Sequence, residues 1–305
     1  MTSAVTDRRS ATQPQPVPEP VETPSGKGAA DENFPVGSFL ISAELRPHVA
    51  CYYAFARAID DIADDSELAP EDKAARLDGF DRALAGEPGF GEAYAKAHAL
   101  RESLTARGVP LACGRDLIVA FKQDAYQARY EGWEDLARYC RYSANPVGRF
   151  LIDLHGEDEA AYGPSDALCT ALQVLNHLQD CGDDLEALDR VYLPTAWMAE
   201  EGTGVDDLRA DKLTPGLRRV VDRLLDRCDG LIGEARALPS RARDRRFAME
   251  CGTIVALAGR LSRRLRRGDP LAERVALSKL DFALCAVQGI AWGLFGRRPA
   301  KRSPS

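Results

Sequence analysis

Apolar residues recur at helical spacing from Phe34 almost to the end of the chain, and proline and glycine cut that periodicity into pieces of helix length. The cuts fall at Pro70, at Gly86-Glu87-Pro88-Gly89, at Gly108-Val109-Pro110, at Gly163-Pro164 and at Gly268-Asp269-Pro270. Between them the spacing predicts helices over 44–63, 70–84, 91–106, 115–130, 133–155, 164–188, 206–213, 215–238, 244–267 and 270–294. No stretch alternates in the manner of a half-buried strand, and no fixed-period repeat points to a solenoid. A chain of this kind can bury its apolar stripes only by packing helix on helix. With 45% hydrophobic residues it has the material for a sizeable core, so the expected architecture is one all-α domain, a helical bundle over 33–296.

The flanks are different in kind. Residues 1–32 are rich in Pro, Ser, Thr and Gln and poor in large apolar groups, so burial cannot offset their ordering entropy and a disordered tail is expected. They also lack the apolar run of a secretory signal. Residues 297–305 predict a short basic tail. A formal charge of -7 gives no basic footprint for nucleic acid. The eight cysteines include no C-x-x-C, and His48, His98, His155 and His177 share no zinc-ligand spacing, which fits free, buried thiols in a reducing cytoplasm. The last predicted helix, SKLDFALCAVQGIAWGLF before GRRPAKR, is too short and interrupted to span a bilayer comfortably. Two readings of it stand: a core helix with a solvated basic end, or an apolar helix leaning peripherally on an anionic membrane surface.

Two acidic stripes break the apolar pattern. In ALQVLNHLQDCGDDLEALDRVYLP (171–194), Gln173, Asn176, Asp180 and Asp184 fall within an arc of about 80° on one continuous helix, beside the core-forming Leu172, Val174, Leu175 and Leu178. In YYAFARAIDDIADD, Arg57, Asp60, Asp61 and Asp64 share a face, with Tyr53 one turn earlier. Carboxylates at i and i+4 repel unless something neutralises them. One such pair is commonplace on a solvated helix face. Two, each in an apolar helix and each with amide or guanidinium company in phase, fit a different purpose. Mg²⁺ prefers a few carboxylates plus substrate phosphate oxygens, so facing pairs would suit a cluster of Mg²⁺ ions around a diphosphate. Arg57 would add a bidentate phosphate contact.

YAFARAIDDIAD and LQVLNHLQDCGDDLEALDRVYLP resemble the two aspartate-rich signatures of the squalene and phytoene synthase family, and the likeness runs from about Asn33 to near the C-terminus. The resemblance implies the all-α isoprenoid-synthase bundle with a central apolar cavity, and Mg²⁺-dependent chemistry on prenyl diphosphates. ENFPV, YSANPVGR and NHLQDC are most similar to a bacterial branch serving hopanoid synthesis. That branch implies a carbon–oxygen lyase that ionises presqualene diphosphate and captures the rearranged cation with water, working beside other enzymes of its pathway. The alternative within the family is a head-to-head transferase condensing two prenyl diphosphates; the aspartates do not separate the two. A scaffold that binds partners through helical faces is the reading from another class, and it gives no reason to keep both acidic pairs.

The resemblance implies roles residue by residue. Asp60, Asp64, Asp180 and Asp184 would be the metal ligands, and Arg57, Gln173, Asn176, Tyr192 and Arg274 would serve the diphosphate. Tyr139 falls where the family has a tyrosine near the reacting centre. Asn145 stands where relatives carry small residues, which suggests that it places the quenching water together with Tyr139. Its other reading is a cap on the break that Pro146 imposes. Two departures are visible: Asp31-Glu32-Asn33-Phe34 replaces a Ser-x-Ser-Phe phosphate contact, and Leu257 stands where the family has a tyrosine.

Overall fold

The computed structural model describes residues 41–295, and the segments 1–32 and 297–305 expected to be tails lie outside them. Thirteen α-helices are present among the described residues. The first six are α1 (Arg46–Asp64), α2 (Pro70–Ala85), α3 (Ala95–Arg107), α4 (Ala112–Asp124), α5 (Trp133–Ser143) and α6 (Asn145–Leu154). Then follow α7 (Tyr162–Gln179), α8 (Cys181–Leu188), α9 (Thr195–Glu200), α10 (Pro215–Ala235), α11 (Leu238–Arg241), α12 (Arg245–Leu265) and α13 (Lys279–Phe295). The all-α expectation is met; the sole β pairing among the described residues is an isolated bridge between Arg129 and Val191.

Burial divides into two large clusters. One gathers Phe55, Ile59, Leu77, Phe80, Leu100 and Phe150 from α1–α4 and α6. The other gathers Leu136, Leu175, Leu178, Leu224, Leu261 and Leu265 from α5, α7, α10 and α12. Between the clusters lies a mainly apolar cavity of about 270 Å³. Its walls come from both sides: Val49, Tyr52, Tyr53 and Ala56 on α1, Leu168 and Leu172 on α7, Phe247, Glu250, Cys251 and Ile254 on α12.

Several expected helices stop early, each for a local reason. The helix expected over 133–155 divides at Ala144 (φ -124°, ψ -45°), because Pro146 lacks a donor and crowds the preceding backbone. The one expected over 115–130 ends at Asp124. Its last residues instead run beside 191–196, where Val191 N–H donates to the Ala128 carbonyl and Thr195 N–H to that of Tyr130, both at 2.9 Å. The helix expected over 270–294 starts at Lys279. There Ser278 Oγ accepts from Asp281 N–H (3.2 Å) while the Asp281 carboxylate accepts from Ser278 N–H (2.9 Å), a reciprocal cap that fixes the start. The segment 206–213 forms only a 3₁₀ turn, Val205–Arg209, and the short α9 was not expected.

The expected single helix over 164–188 is also divided. Asp180 sits between α7 and α8 with φ -104° and ψ 11°. The break is slight, since Asp180 N–H still donates to the Asn176 carbonyl (3.0 Å) and its own carbonyl accepts from Asp184 N–H (2.7 Å). The acidic stripe is therefore carried by two successive helices, and Asp183 and Asp184 become first-turn residues of α8.

Candidate active site

On α1 the residues that line the cavity and those that carry charge form one continuous stripe: Val49, Tyr53 and Ala56 give way to Arg57, Asp60 and Asp64. On α7, Leu168 and Leu172 likewise give way to Gln173, Asn176 and then Asp180. Both helices thus run from an apolar wall to an acidic end.

The acids of α1 stand where a helix least favours them. Asp60, Asp61 and Asp64 occupy its C-terminal turns, at the negative end of the macrodipole, and α1 has no basic residue in its last turn. Cations are supplied by residues near and far in sequence. Arg57 bridges Asp60 (2.6 Å) and Asp61 (3.2 Å). Arg190, remote in sequence and buried, donates to Asp64 Oδ1 (2.6 Å) and to the Ala63 carbonyl (3.1 Å), which Lys73 Nζ also reaches at 2.8 Å. Both donors satisfy the Ala63 carbonyl, which the helix end would otherwise leave open.

Neutralisation is incomplete. Asp124, at the end of α4, is buried against the same group and accepts from the Tyr139 hydroxyl at 2.9 Å. Burial pushes its carboxyl up to about 7, assisted by Asp64 and Asp184 and opposed by Arg190 and the tyrosine. Asp60 is likewise pushed up to about 7, by crowding from the surrounding helices and then by Asp64, although 27% of its side chain stays open. Burial alone would lower Arg190, but Asp124 and Asp64 more than reverse this, so it remains a cation. One buried guanidinium faces both Asp64 and Asp124, and Asp184 adds further negative charge beside Asp124. Asp124 Oδ1 is also buried without a hydrogen-bond partner.

An aromatic wall closes this group. Tyr192 stacks on His177 (centroids 3.4 Å apart) and on Tyr130 (5.5 Å), and Tyr139 packs against both tyrosines. The Arg129–Val191 bridge brings the neighbouring Tyr130 and Tyr192 together. His177 Nε2 lies 3.1 Å from the Gln173 amide nitrogen, and its Nδ1 lies 3.8 Å from Asp184. A donating Gln173 leaves the ring proton on Nδ1, facing the carboxylate.

The structure therefore groups Arg57, Asp60, Asp64, Gln173, Asp184, Tyr139 and Tyr192 in one cluster; α1 and α7, which carry four of them, also line the cavity, although none of the seven side chains lines it. Asn176 and Asp180 are tied into it through the backbone at the α7–α8 break. Asn145 lies elsewhere: buried at the start of α6, its Oδ1 accepts from Thr170 Oγ1 (3.0 Å), joining α6 to α7, and its side chain does not cap α6. Arg274 lies in a separate arginine-rich pocket that none of these aspartates lines. The link between the two places is Gln179, which donates to the Val275 carbonyl at 2.6 Å. Leu257 is fully buried, and Asp31–Phe34 falls outside the described residues.

Asp124, Arg190 and Tyr130 were missed in the sequence. For Asp124 a signal exists: with Leu117 and Ala120 it continues a buried helical stripe, where a carboxylate is out of place. For Arg190 the only hint is its place in DRVYLP beside Tyr192.

Among the described residues no three His, Cys, Asp or Glu side chains converge closely enough to hold a metal ion by themselves. The donors are nevertheless of the right chemistry for a hard cation. They are carboxylate oxygens in excess of their arginines, one of them orphaned, and Mg²⁺ takes one or two carboxylates while waters and phosphate complete its shell.

Fold and site together describe an all-helical protein whose α1 and α7 carry both the wall of an apolar cavity and an acidic cluster. The squalene/phytoene synthase family matches residues 28–281, and the chain belongs to that family. It is 42% identical over 265 residues to the hydroxysqualene synthase of Rhodopseudomonas palustris, covering 87% of this chain and 90% of that protein. It is 30% identical to the phytoene synthase of Thermus thermophilus, covering 89% of this chain and 92% of the relative. Among solved structures it resembles the squalene synthase HpnC from Alicyclobacillus acidocaldarius, with TM-score 0.66 and 36% identity over 76% of this chain and 87% of the other.

Proposed function

We propose that this chain ionises presqualene diphosphate at the acidic end of the cavity and that water captures the rearranged carbocation, giving hydroxysqualene and diphosphate. The observation that carries the ionising half is the shared layout of α1 and α7, each leading from the apolar wall to carboxylates without leaving one face. The choice of water as the second reactant rests on similarity to hydroxysqualene synthases at about 40% identity over most of the chain.

Asp60, Asp64, Asp180 and Asp184 would hold Mg²⁺, with Asp124 beneath them. The metal would supply charge stabilisation to the leaving diphosphate, worth several kcal/mol in a site shielded from water. Arg57 would turn its guanidinium from Asp60 toward phosphate as the metal takes over that carboxylate. Gln173 and Asn176 would orient the ligands, and Tyr192, fixed by its stack on His177, would face the diphosphate. Arg274 would reach the phosphate only after its loop moves.

The apolar walls would shield the cation from bulk water. Asn145 Oδ1 is engaged by Thr170, so its amide nitrogen is the end that would hold a single water, and because Tyr139 belongs to the separate Asp124 group the two would act on one water only after the site rearranges. Addition of that water releases a proton, which the departed diphosphate can accept. The cavity of about 270 Å³ lies just below the usual range of about 300–1,000 Å³ for ligand pockets, so binding a long prenyl substrate must widen it.

The test is a product assay with Mg²⁺ and no reductant, offering presqualene diphosphate and farnesyl diphosphate separately. The reading predicts an alcohol from the first and no consumption of the second. Coupling of farnesyl diphosphate with release of diphosphate would instead establish head-to-head condensation.

A further inference from the structure

The two faces of α13 are built for different neighbours. Its inner face presents Cys285, Gly289 and Gly293 to α12, and the helices approach so closely that a Cβ at Gly252 would meet the Gly289 Cα at 3.1 Å. A Cβ on Gly289 would lie 2.6 Å from the Met249 carbonyl oxygen, so this seam admits no side chain. The outer face carries Leu280, Leu284, Val287, Ile290, Leu294 and Phe295, with Val287 67% and Phe295 85% exposed. From Phe282 to Gly296 the sequence has no charged residue. At about 1.5 Å per residue the helical part, from Phe282 to Phe295, is an apolar ridge roughly 20 Å long. Isolated exposed apolar residues are ordinary, whereas a continuous ridge marks an interaction surface.

Both ends of the ridge are basic, against the net charge of -7. At its start, a pocket of about 610 Å³ is lined by five arginines, Arg260, Arg263, Arg264, Arg267 and Arg274, against two acids, Glu273 and Asp281. Asp281 engages Arg260 (2.8 Å) and Arg264 (2.5 Å). Arg263, Arg267 and Arg274 are exposed, and no ion pair engages them among the described residues. Beyond its end the sequence reads Arg297, Arg298, Lys301 and Arg302.

We propose that α13 lies in the surface of an anionic phospholipid bilayer, with its outer ridge among the acyl chains and Arg263 and Arg267 of the pocket on lipid phosphates. No described helix is long and apolar enough to cross a membrane, which leaves the in-plane arrangement for a helix of this kind. Charge decides against a second copy as occupant. Pairing two ridges, parallel or antiparallel, sets basic end against basic end, whereas an anionic surface complements both. Residues 1–33 are a poor cover, having only Met1, Val5, Val17 and Val21 as large apolar groups, and a cover supplied instead by Phe34, Val36, Phe39 and Leu40 would leave the protein unable to bind vesicles. The proposal is independent of which diphosphate the enzyme consumes.

The test is flotation of the full-length protein with vesicles of phosphatidylcholine alone and of equal phosphatidylcholine and phosphatidylglycerol, at low and high salt. Binding is expected on the anionic vesicles, at least tenfold weaker on the neutral ones and weakened by salt. The emission of Trp292, half-buried on α13, should shift to the blue on binding. Val287→Glu should cut anionic-vesicle binding at least tenfold with an unchanged melting temperature, because the position is exposed. Arg263→Glu with Arg267→Glu should do the same without touching the ridge. Failure of the wild type to float with anionic vesicles would overturn the proposal. So would binding that neither variant weakens, or self-association abolished by Val287→Glu in a protein that ignores vesicles.

Discussion

The two acidic motifs share the i, i+4 spacing but sit at opposite helix poles. Asp60 and Asp64 end α1, where the macrodipole is negative; Asp184 begins α8, where it is positive and a carboxylate is favoured by about 0.3–1 kcal/mol. The first motif is accordingly braced by Arg57, Arg190 and Lys73, while the second has the helix terminus and His177 beside it. A helix that places acids at its unfavoured end and brings in a buried arginine to keep them there is organised for something other than stability. On the proposed reading, α1 would supply braced but incompletely neutralised carboxylates and α8 a second set of ligands for the same Mg²⁺.

If both motifs hold the same metal cluster, their different electrostatic settings should not matter to turnover. Asp64→Asn and Asp184→Asn should each lower diphosphate release by about 10²–10³-fold, the usual cost of losing one electrostatic contact to developing charge. A large loss in one and none in the other would break the pairing.

Stability should show the asymmetry that turnover hides. Arg190→Met strands Asp124 and uncaps α1, and should cost about 3 kcal/mol in chemical denaturation. That is the low end for a broken buried pair, because Asp64 is 36% open to solvent. Saturating Mg²⁺ with diphosphate should recover part of it. Among the described residues no comparable arginine brace engages Asp184.

The pH dependence sharpens the same point. Asp124 titrates near 7 in the fold and near 3.8 when unfolded. Between those values the unfolded chain has lost a proton that the native state keeps, so stability falls as pH rises from about 4 to 7 and then levels. Asp60 acts in the same direction. Metal-free protein should therefore melt higher at pH 5 than at pH 8, and Asp124→Asn should flatten the slope, as read by circular dichroism. An unchanged slope would remove Asp124 from the account. The smallest effect is expected at Arg129→Ala, which breaks an exposed pair with Asp189; it should cost under about 1 kcal/mol and leave turnover within twofold.

Both acidic motifs were legible because helical phase is local and a face can be read from spacing alone, whereas Tyr139 and Tyr192 were singled out only through the family resemblance. The helix ends were not, since they depend on partners. Ala128 and Tyr130 are drawn away by 191–195, and the 266–278 region is held by Asp269 and Gln179. Asp124 and Arg190 acquire their meaning only when α4 and the segment after α8 converge on α1. Arg274 shows the opposite limit: a residue can match a family position while its side chain lines another pocket.

The central claim is that the two motifs form one Mg²⁺–diphosphate site. Calorimetric titration of inorganic diphosphate into the wild type, Asp64→Asn and Asp184→Asn, with and without Mg²⁺, tests it most directly. The account predicts binding to the wild type only with Mg²⁺, weakened at least tenfold by either substitution. Binding that needs no Mg²⁺, or that survives both substitutions, would contradict it.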